Sequence, residues 1–324
     1  MYAIEAKDIV KTYSEKVTLY DFSIKIPMGT IYGLLGPNGA GKSTFIRIID
    51  GLEKQNSGVL KIFGESPNKR LRKQLGIAPQ ENSFHGLLTC FENLMYYAEL
   101  YGVNRGEAKQ RAEDLLKRLG LGEKMHARAS WLSGGMKRRL NLACGLMHKP
   151  KIIIMDEPTT GLDPVSRNQM WNVVRDIQKK EKVTIILTTH YMEEAELLCD
   201  EISFINRGHV VVTGTPEKLK EIAGKEFLRI RSRPGEYLKF IKMIQDMEGI
   251  ESATISDGEI LIEAKNLPSK ISSVTRLLDD QGEKILDLRI SKATLEDAFI
   301  KLTGSALKED KTAHGEKKLK VTPK

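Results

Sequence analysis

A glycine-rich loop between an apolar strand and a helix constrains the fold of this 324-residue chain more than any other feature. The loop reads Gly36-Pro-Asn-Gly-Ala-Gly-Lys-Ser-Thr44 and follows the apolar run Ile31-Tyr-Gly-Leu-Leu35. The apolar spacing after the loop predicts a helix over about residues 42–51. Glycines allow the backbone to curl so that its N–H groups point into one concavity, and a helix start adds partial positive charge. The loop is therefore predicted to bind phosphate groups.

Individual residues of the loop have predicted roles in phosphate binding. Lys42 would reach the β- and γ-phosphates of a nucleotide, and the Ser43 hydroxyl would ligate Mg²⁺. The rival interpretation, a tight turn without a ligand, is disfavoured because the preceding strand and the following helix are both present. The predicted nucleotide contacts within the loop are Gly36, Pro37, Asn38, Gly39, Ala40, Gly41, Lys42, Ser43 and Thr44.

A second apolar strand ends in two carboxylates. The run Lys151-Ile-Ile-Ile-Met155 precedes Asp156 and Glu157, and in a parallel sheet the carboxyl end of such a strand lies beside the phosphate loop. Asp156 would hold Mg²⁺ directly or through water. Glu157 would polarise the attacking water, because a carboxylate can accept a water proton within hydrogen-bond reach. The alternative, an acidic pair at the start of a helix, is disfavoured by the presence of the phosphate loop.

The segment Leu132-Ser-Gly-Gly-Met-Lys-Arg-Arg139 predicts a second anion site. Ser133 resembles a helix N-cap, and Gly134 and Gly135 leave the first turn bare. One nucleotide does not need two such sites in one chain, so this helix start would close on a nucleotide bound to another copy. Taken alone, the segment leaves a capped surface helix open as the alternative.

Composition narrows the class of protein. The net charge is +8, but Lys and Arg are interspersed with acidic residues, so no nucleic-acid partner is expected. Solvated surface accounts for the excess most simply, with anionic membrane headgroups as the functional alternative. Cys90, Cys144 and Cys199 are widely spaced, which suggests neither a disulfide framework nor a zinc cluster and indicates a reducing compartment. Residues 1–10 show no signal-peptide pattern, and the apolar runs are too short to cross a bilayer.

The spacing of apolar residues predicts the order of elements in the first two thirds of the chain. The predicted elements are short strands over 1–35, a strand pair over 58–79, largely helical structure over 89–147, buried strands at 152–155 and 184–187 separated by a helix near 167–179, and a hairpin of 201–206 and 209–213. The alternation of strand, helix and strand after residue 151 implies parallel pairing.

A second unit is predicted from residue 226 onward. Its predicted elements are strand 226–231, helix 236–246, strands 251–256 and 259–264, helix 268–279, strand 284–290 and helix 294–301. The Asp257-Gly258 pair predicts a hairpin turn, and the order resembles a ferredoxin-like β-α-β arrangement. The last segment, 305–324, holds six lysines and little apolar content, so it is predicted to be disordered.

Together these motifs resemble those of a nucleotide-binding subunit of the ATP-binding cassette (ABC) transporter family, over residues 1 to about 220. The phosphate loop, the Leu132–Arg139 segment and the strand ending at Glu157 occur in the order that the family has. The match at Met136 and Lys137 departs from the usual family residues, which should be tolerated because Ser133 and the glycines face the phosphate.

The resemblance implies four further site residues. Gln80 would sense Mg²⁺ and water and couple to a permease, and Asp163 would lie at a dimer interface. His190 would contact the γ-phosphate, and Tyr13 would stack on adenine. Three of them have a simpler interpretation when taken alone: Gln80 as a loop residue, His190 as a structural histidine and Tyr13 as a packing residue. Their joint order and spacing favour the functional interpretation.

The resemblance also implies the fold and the cofactors. It implies an α/β P-loop NTPase fold with an antiparallel β subdomain and a helical subdomain at about 85–147, followed by a small α+β ferredoxin-like domain. The implied domain limits are 1–222 and 225–304, and the implied cofactors are ATP and Mg²⁺. The implied roles are catalysis for Glu157, His190, Lys42 and Gln80, metal binding for Ser43, Gln80 and Asp156, and contact with a nucleotide on another subunit for Ser133, Gly134, Gly135 and Asp163.

The partners follow from the same resemblance. It implies a separate integral membrane permease and a second cassette subunit, with a homodimer favoured, at the cytoplasmic face of the cell membrane. Residues 293–304 resemble the C-terminal extension of the drug-, antibiotic- and polysaccharide-exporting branch, so an exporter is favoured. The alternatives are an importer ATPase whose second unit binds a regulatory small molecule, and a soluble cassette ATPase outside transport. The latter is disfavoured because the chain has one set of closely spaced motifs.

Overall fold

The computed structural model of the protein describes residues 1–13, 16–224, 226–256, 258–264 and 266–304. Within those ranges the elements are β1 (Tyr2–Tyr13), β2 (Lys16–Pro27), β3 (Ile31–Leu35), α1 (Lys42–Asp50), β4 (Ser57–Ile62), α2 (Lys69–Arg72), β5 (Leu75–Ala78), α3 (Cys90–Leu100), α4 (Arg105–Arg118), α5 (Gly134–Leu146), β6 (Ile152–Asp156), α6 (Pro164–Glu181), β7 (Thr184–Thr189), α7 (Met192–Leu198), β8 (Glu201–Asn206), β9 (His209–Gly214), α8 (Pro216–Ala223), β10 (Glu226–Arg233), α9 (Ile241–Gln245), β11 (Ile250–Ser256), β12 (Glu259–Ala264), α10 (Leu267–Asp280), β13 (Lys284–Lys292) and α11 (Leu295–Thr303).

The first sheet has the strand order β2-β1-β4, with antiparallel neighbours. Strands β1 and β2 are each 12 residues long, so the prediction of short strands over residues 1–35 is wrong for this part of the chain. Asp8 and Asp21 have positive φ angles of 52° and 41° and lie where the register of the two strands shifts. Aspartate with positive φ is typical of turns, but here it forms bulges within continuing strands.

The central sheet has the order β5-β6-β7-β3-β8-β9, and its neighbours are parallel except for β8 and β9. The predicted parallel pairing of β6 with β7 and the predicted hairpin are confirmed. Strands β3 and β7 are buried along their whole length, which is typical of strands covered on both faces. The carboxyl ends of β3, β6 and β7 lie at one edge of the sheet, where the phosphate loop, Asp156 and His190 follow them.

The two strands predicted as a pair over residues 58–79 are present but do not pair with each other. Strand β4 belongs to the first sheet, and β5 forms an edge of the central sheet. The short helix α2 separates them, and its N-cap Asn68 accepts a hydrogen bond from the backbone N–H of Leu71. The prediction of a strand pair is therefore wrong, because apolar alternation indicates that a strand exists but not which strand it joins.

The region predicted to be largely helical contains α3, α4 and α5. Helix α3 begins with a capping box, in which Thr89 accepts from the N–H of Glu92 and Glu92 accepts from the N–H of Thr89. Leu94 of α3, Leu115 of α4 and Leu140 of α5 are fully buried in one shared core. This packing fixes the position of α5 relative to the edge of the central sheet.

The second unit contains a four-stranded antiparallel sheet in the order β11-β12-β10-β13. Its element order is the predicted one, except that helix 236–246 is shorter, with a 3₁₀ turn at Tyr237–Lys239 before α9. Phe240 separates the two with a φ of −130°, which is outside the helical range. The hairpin residue Asp257 and the predicted disordered segment 305–324 lie outside the described residues.

Helix α11 joins the second unit to the first. Phe299 is fully buried and its ring meets Phe204 of β8 edge to face, with centroids 5.3 Å apart. Lys301 donates a hydrogen bond of 3.1 Å to the carbonyl of Ala223, the last residue of α8. The two units share one hydrophobic core here, so the domain limits 1–222 and 225–304 stay a prediction.

Two properties of the described part of the chain bear on its surroundings. None of its helices is both long enough and apolar enough to cross a membrane. Cys90, Cys144 and Cys199 are free thiols in buried positions, and burial raises the pKa of the Cys90 thiol above its ordinary value.

Candidate functional site

The phosphate loop forms one wall of a cavity of about 420 Å³ at the carboxyl edge of the central sheet. Gly39 and Gly41 have φ angles of 77° and 110°, which glycine adopts without strain. A Cβ atom at Gly36 would lie 2.1 Å from the carbonyl oxygen of Ile205, so the loop needs glycine to pack against β8. The cavity is lined by Thr18, Asn38, Gly39, Ala40, Gly41, Lys42, Ser43, Thr44, Gln80, Asp156, Glu157, Thr160 and His190.

Lys42 lies at the centre of the loop and is 5% exposed. Its Nζ donates to the carbonyl oxygens of Gly36 at 2.6 Å and Pro37 at 3.1 Å. Gly36 and Pro37, which were predicted to contact the nucleotide, are not among the residues that line the cavity. Burial lowers the pKa of Lys42, and the charges of Glu157 and Asp156 oppose that shift. The loop thus places a cationic group where the oxygens of a bound phosphate could pair with it.

Asp156 and Ser43 both line the cavity. Asp156 ends β6, and its Oδ1 accepts a hydrogen bond of 2.5 Å from the Thr188 hydroxyl of β7. Across the described ranges, no three His, Cys, Asp or Glu side chains cluster as a metal site. One carboxylate and one hydroxyl suit Mg²⁺ in a phosphate site, since that ion keeps several waters and takes its other ligands from the phosphates.

Glu157 is held by its backbone conformation and by contacts with three side chains. Its φ of 47° lies in the left-handed region, which costs a non-glycine residue about 1–3 kcal/mol. Its carboxylate meets His190, with Nδ1 3.1 Å from Oε1, and accepts from the Thr160 hydroxyl at 3.1 Å. The Gln80 amide donates to its Oε2 at 3.4 Å. The hydrogen bond with His190 is the main cause that lowers the pKa of Glu157.

The residues predicted to contact a nucleotide on another subunit lie outside this cavity. Ser133 is the N-cap of α5 and accepts from the N–H of Met136, as predicted. Asp163 is the N-cap of α6, and its carboxylate accepts from both the N–H and the hydroxyl of Ser166. A Cβ atom at Gly135 would lie 3.1 Å from the Ser166 hydroxyl. The structure therefore brings the starts of α5 and α6 together as a second, separate group.

Tyr13 is not among the residues that line the cavity in the described part of the chain. The Nζ of Lys11 lies over its ring, 4.8 Å from the centroid, and the same Nζ pairs with Glu53 at 2.7 Å. The ring of Tyr13 is thus occupied by a cation on its own strand. Its predicted stacking on adenine stays a prediction.

Sequence analysis missed four residues of this region: Thr18, Thr160, Thr188 and Arg138. Thr160 and Thr188 position the two carboxylates, and Arg138 donates a hydrogen bond to the backbone carbonyl of Gln80. No spacing rule singles out a threonine that bonds a carboxylate on a neighbouring strand. Arg138 follows the glycines of a motif that was identified, but its partner lies 58 positions earlier in the chain.

A glycine-rich loop around a buried lysine, with an aspartate, a glutamate and a histidine at the ends of neighbouring parallel strands, defines the class of phosphate-loop nucleoside triphosphatases. The family model described as "ABC transporter" matches residues 19–160, which include the loop, the α5 start and both carboxylates.

Similar proteins cover nearly the whole chain. The linearmycin resistance ATP-binding protein LnrL of Bacillus subtilis is 36% identical over 311 residues, covering 94% of this chain and 100% of that protein. The Nod factor export ATP-binding protein I of Rhizobium etli is 37% identical over 314 residues, covering 95% and 96%. The daunorubicin/doxorubicin resistance ATP-binding protein DrrA of Streptomyces peucetius is 32% identical over 323 residues, covering 98% of each chain.

A solved structure supports the same fold. The cbiO1 protein from Clostridium perfringens, described as part of the ABC transporter complex cbiONQ, is similar with a TM-score of 0.64 and 28% identity, over 68% of this chain and 93% of that one. The chain therefore belongs to the ABC transporter family, and it is an ATP-binding subunit that hydrolyses ATP.

Proposed function

We propose that this chain is the ATPase subunit of an exporter, which works as a dimer and drives a separate membrane permease. The observation that carries the proposal is the meeting of Lys42, Asp156, Glu157 and His190 in one cavity. The exporting direction is supported by the relatives, which are named for resistance or export and align over both units of the chain. The importer alternative is less favoured, because these three relatives are named for resistance or export.

ATP would bind with its phosphates in the loop. The backbone N–H groups of the loop and the start of α1 would face the phosphate oxygens, and Lys42 would leave the Gly36 and Pro37 carbonyls to pair with the β- and γ-phosphates. Ser43 and Asp156 would hold Mg²⁺, with Gln80 near it. The ion would neutralise charge that develops on the transferring phosphoryl group.

Hydrolysis would depend on Glu157. Its ionised carboxylate would orient the attacking water and accept a proton from it. His190 and Thr160 hold that carboxylate in place at 3.1 Å each. Lys42 and His190 would stabilise negative charge on the γ-phosphate, because fixed donors in a site with little water act strongly on developing charge.

The second group of residues would close on the ATP of another copy. Ser133, Gly134 and Gly135 begin a 13-residue helix, and the N–H groups of such a start favour an anion. In a head-to-tail dimer, this turn and Asp163 would cover the nucleotide held by Lys42 of the partner. The γ-phosphate would then favour the closed dimer, because it contributes contacts that the open state lacks.

The permease would dock on the helical region. Leu87, Tyr96 and Leu100 are 80%, 41% and 62% exposed, and they lie on or before α3, in the segment that follows Gln80. Exposed apolar residues grouped in this way mark surfaces that bind other proteins. Docking there would place the subunit at the cytoplasmic face of the membrane and would couple Gln80 to the permease.

The Glu157→Gln variant tests the proposal. It should bind ATP, lose most of its turnover and accumulate as an ATP-bound dimer, because the closed dimer can no longer open through hydrolysis of its ATP. Glu65→Gln, on the exposed Glu65 that pairs with Arg70, is the matched control and should retain full activity. Turnover and size-exclusion chromatography with ATP and Mg²⁺ provide the measurement. Normal turnover of Glu157→Gln would exclude the role given to Glu157.

A further inference from the structure

A second cavity, of about 600 Å³, lies at the amino edge of the central sheet. Lys151 and Thr184, at the starts of β6 and β7, are part of its lining. Asp156 and His190, at the other ends of the same two strands, line the cavity around Lys42. A five-residue strand such as β6 is about 17 Å long. The two cavities are therefore separate, and both can be occupied at once.

Cations dominate the lining of this second cavity, the basic cavity. Six of its twelve lining residues carry a positive charge, and one, Glu181, carries a negative charge. Three further carboxylates, Glu107, Asp114 and Asp176, pair with these cations from outside the lining, and the cations remain in excess when they are included. The six cations are Arg111, Arg118, Lys149, Lys151, Lys180 and Lys182.

Glu181 fixes the two arginines of the basic cavity. Its Oε2 lies 2.9 Å from Nη2 of Arg111, and its Oε1 lies 2.8 Å from Nη1 of Arg118. Arg111 also donates to the carbonyl of Leu146 at 2.6 Å. The two arginine side chains are only 10% and 16% exposed. Side chains that are already fixed in this way lose little conformational freedom when a ligand binds.

Arg118 has donors that the protein itself does not use. Its Nε and Nη2 are buried and have no hydrogen-bond partner in the part of the chain that the structure describes. The carboxylate of Asp176 approaches Nε only to 3.7 Å, which is beyond hydrogen-bond distance. A buried donor without an acceptor is unfavourable, and an anion in the cavity that Arg118 lines would supply acceptor oxygens.

Two lysines of the basic cavity have a strained backbone. Lys149 and Lys182 have φ angles of 53° and 49°, and no other lysine in the described ranges has a positive φ. Lys182 is the C-cap of α6, a place where glycine is common because it adopts this conformation without strain. Lysine at both positions indicates that the positive charge has a use in this cavity.

Lys151 and Lys182 provide ammonium groups that no carboxylate neutralises. Both residues are exposed, and within the described ranges neither side chain forms an ion pair or a hydrogen bond. The Nζ of Lys151 lies over the ring of Phe63, 5.6 Å from its centroid, so its charge has no counterion in the protein. An anion bound in the cavity would neutralise both groups.

Closely spaced phosphate groups suit this set of cations. The planar guanidinium of arginine offers two parallel donors to phosphate oxygens, and lysine binds phosphate as a point charge. A volume of about 600 Å³ is typical of sites for small molecules. Only Met28, Pro150 and Val183 of the lining have apolar side chains. The lining therefore suits a highly charged molecule with little apolar surface.

We propose that the basic cavity binds a soluble anion with several closely spaced phosphate groups, while ATP occupies the cavity around Lys42. A lipid headgroup has the same phosphate chemistry, but a concave site with few apolar side chains favours a molecule without acyl chains. Arg111 and Arg118 belong to α4, whereas Lys180 belongs to α6, so the anion would bridge the helical region and the central sheet. Binding involves one chain only and does not depend on the dimer or the permease.

Tripolyphosphate is the probe, titrated calorimetrically into the full-length protein that carries Lys42→Met. This background disables the phosphate loop, so that one binding event per chain should remain. Adding Lys182→Gly should weaken that binding about tenfold, because hydrogen bonds to a charged group are lost. Without the probe, the unfolding temperature should not fall, since glycine relieves the positive φ. No binding in the background, or the same affinity after Lys182→Gly, would overturn the proposal.

A matched pair of lysines separates the cavity from general attraction of anions. Lys151→Gln removes a cation that lines the cavity and should also weaken binding about tenfold. Lys179→Gln makes the same change at an exposed position in the last turn of α6, outside the lining. It should change the affinity less than about twofold, because exposed charges are screened by salt. Equal losses in the two variants would show that tripolyphosphate binds the basic surface without a defined site.

Two further titrations test the class of ligand. Citrate carries three carboxylates and should bind at least about tenfold more weakly than tripolyphosphate, because it offers less charge and fewer acceptor oxygens. Vesicles of phosphatidylcholine and cardiolipin, in a ratio of about 4:1, should bind equally to the Lys182→Gly protein and its background. Citrate that binds as tightly would refute the assignment to phosphate. Vesicle binding that is lost with Lys182→Gly, without binding of tripolyphosphate, would identify a lipid headgroup instead of a soluble anion.

Discussion

His190 and Glu157 form a bonded pair across two neighbouring strands, with the imidazole Nδ1 3.1 Å from the carboxylate Oε1. Strands β6 and β7 are parallel, and the register that places Asp156 opposite Thr188 brings the residues that follow them together. The histidine side chain is 26% exposed and the glutamate 12%. The pair therefore stands at the border between the buried sheet and the cavity, with the carboxylate on the inner side.

The bond between His190 and Glu157 predicts how kcat depends on pH. The bond with His190 lowers the pKa of Glu157 below 4.5, the ordinary glutamate value. An ionised Glu157 is needed for the reaction, so its contribution is lost only as pH falls through that lowered pKa. In His190→Gln the acidic limb of kcat should move to higher pH, and kcat itself should fall about 10²–10³-fold.

The measurement for that prediction is kcat as a function of pH in both proteins. His209→Gln, which changes an exposed histidine stacked on Tyr20, is the control and should leave the profile unchanged. An acidic limb at the same pH in His190→Gln and wild type would show that the bond does not govern the ionisation of Glu157.

Lys42→Met should abolish the stabilisation of the folded protein by ATP. In the wild-type protein, ATP at 100 times its Kd should raise the free energy of unfolding by about 2.7 kcal/mol. The variant lacks the ammonium that pairs with the phosphates, so its unfolding temperature should not change when ATP is added. Lys61→Met, at an exposed position of β4, should respond to ATP as the wild type does. Thermal unfolding with and without ATP provides the comparison.

Two glycines should respond in opposite ways to the same substitution. A Cβ at Gly36 would meet the Ile205 carbonyl at 2.1 Å, so Gly36→Ala should lower the free energy of unfolding by about 1–3 kcal/mol. A Cβ at Gly134 would have nothing within 4 Å, so Gly134→Ala should raise it by about 0.5 kcal/mol through helix propensity.

The activity of the same two variants tests the dimer. Gly134→Ala places a methyl group where the partner's γ-phosphate would approach, and its ATPase activity should fall although the protein is no less stable. Chemical denaturation and turnover are measured on both variants. A fully active Gly134→Ala protein would argue against the α5 start as a nucleotide contact.

Phe299→Ala tests the contact between the two units. The side chain is fully buried against Phe204, and its removal should cost about 3–5 kcal/mol. Leu302→Ala, at a position 37% exposed on the same helix, should cost less than about 1 kcal/mol. Denaturant unfolding should stay one transition for the wild type, because the units share a core. Two separate transitions would show that they fold independently.

Much of this site could be predicted because its chemistry lies in short contiguous motifs. The residues from Asn38 to Thr44 and the pair Asp156–Glu157 each follow a buried strand directly, and parallel strands bring their carboxyl ends to one edge. The cavity contains both sets together with His190 and Gln80. The ends of the predicted strands therefore indicated where the site lies, and the residue types indicated its chemistry.

What could not be predicted depends on contacts between distant segments. The side chain of Asn141 donates to the carbonyls of Pro79 and Glu81, about 60 positions away, and nothing in its neighbourhood along the chain marks it. The bulges at Asp8 and Asp21 could not be predicted for a related reason. An aspartate that adopts a positive φ is as compatible with a turn between two short strands as with a bulge in one long strand. Pairing partners and bulges are set by tertiary packing, which local periodicity does not contain.

The buried position of Phe299 has a consequence for truncated forms of the protein. Leu219, Phe204 and Ala223 lie in the same core as this ring and as Leu295 and Ala298. Truncation of the chain after α8 would expose this apolar surface on the ATP-binding unit, and such a fragment would tend to aggregate. The residues after α8 thus complete part of the core of the enzyme and cannot be removed without exposing it.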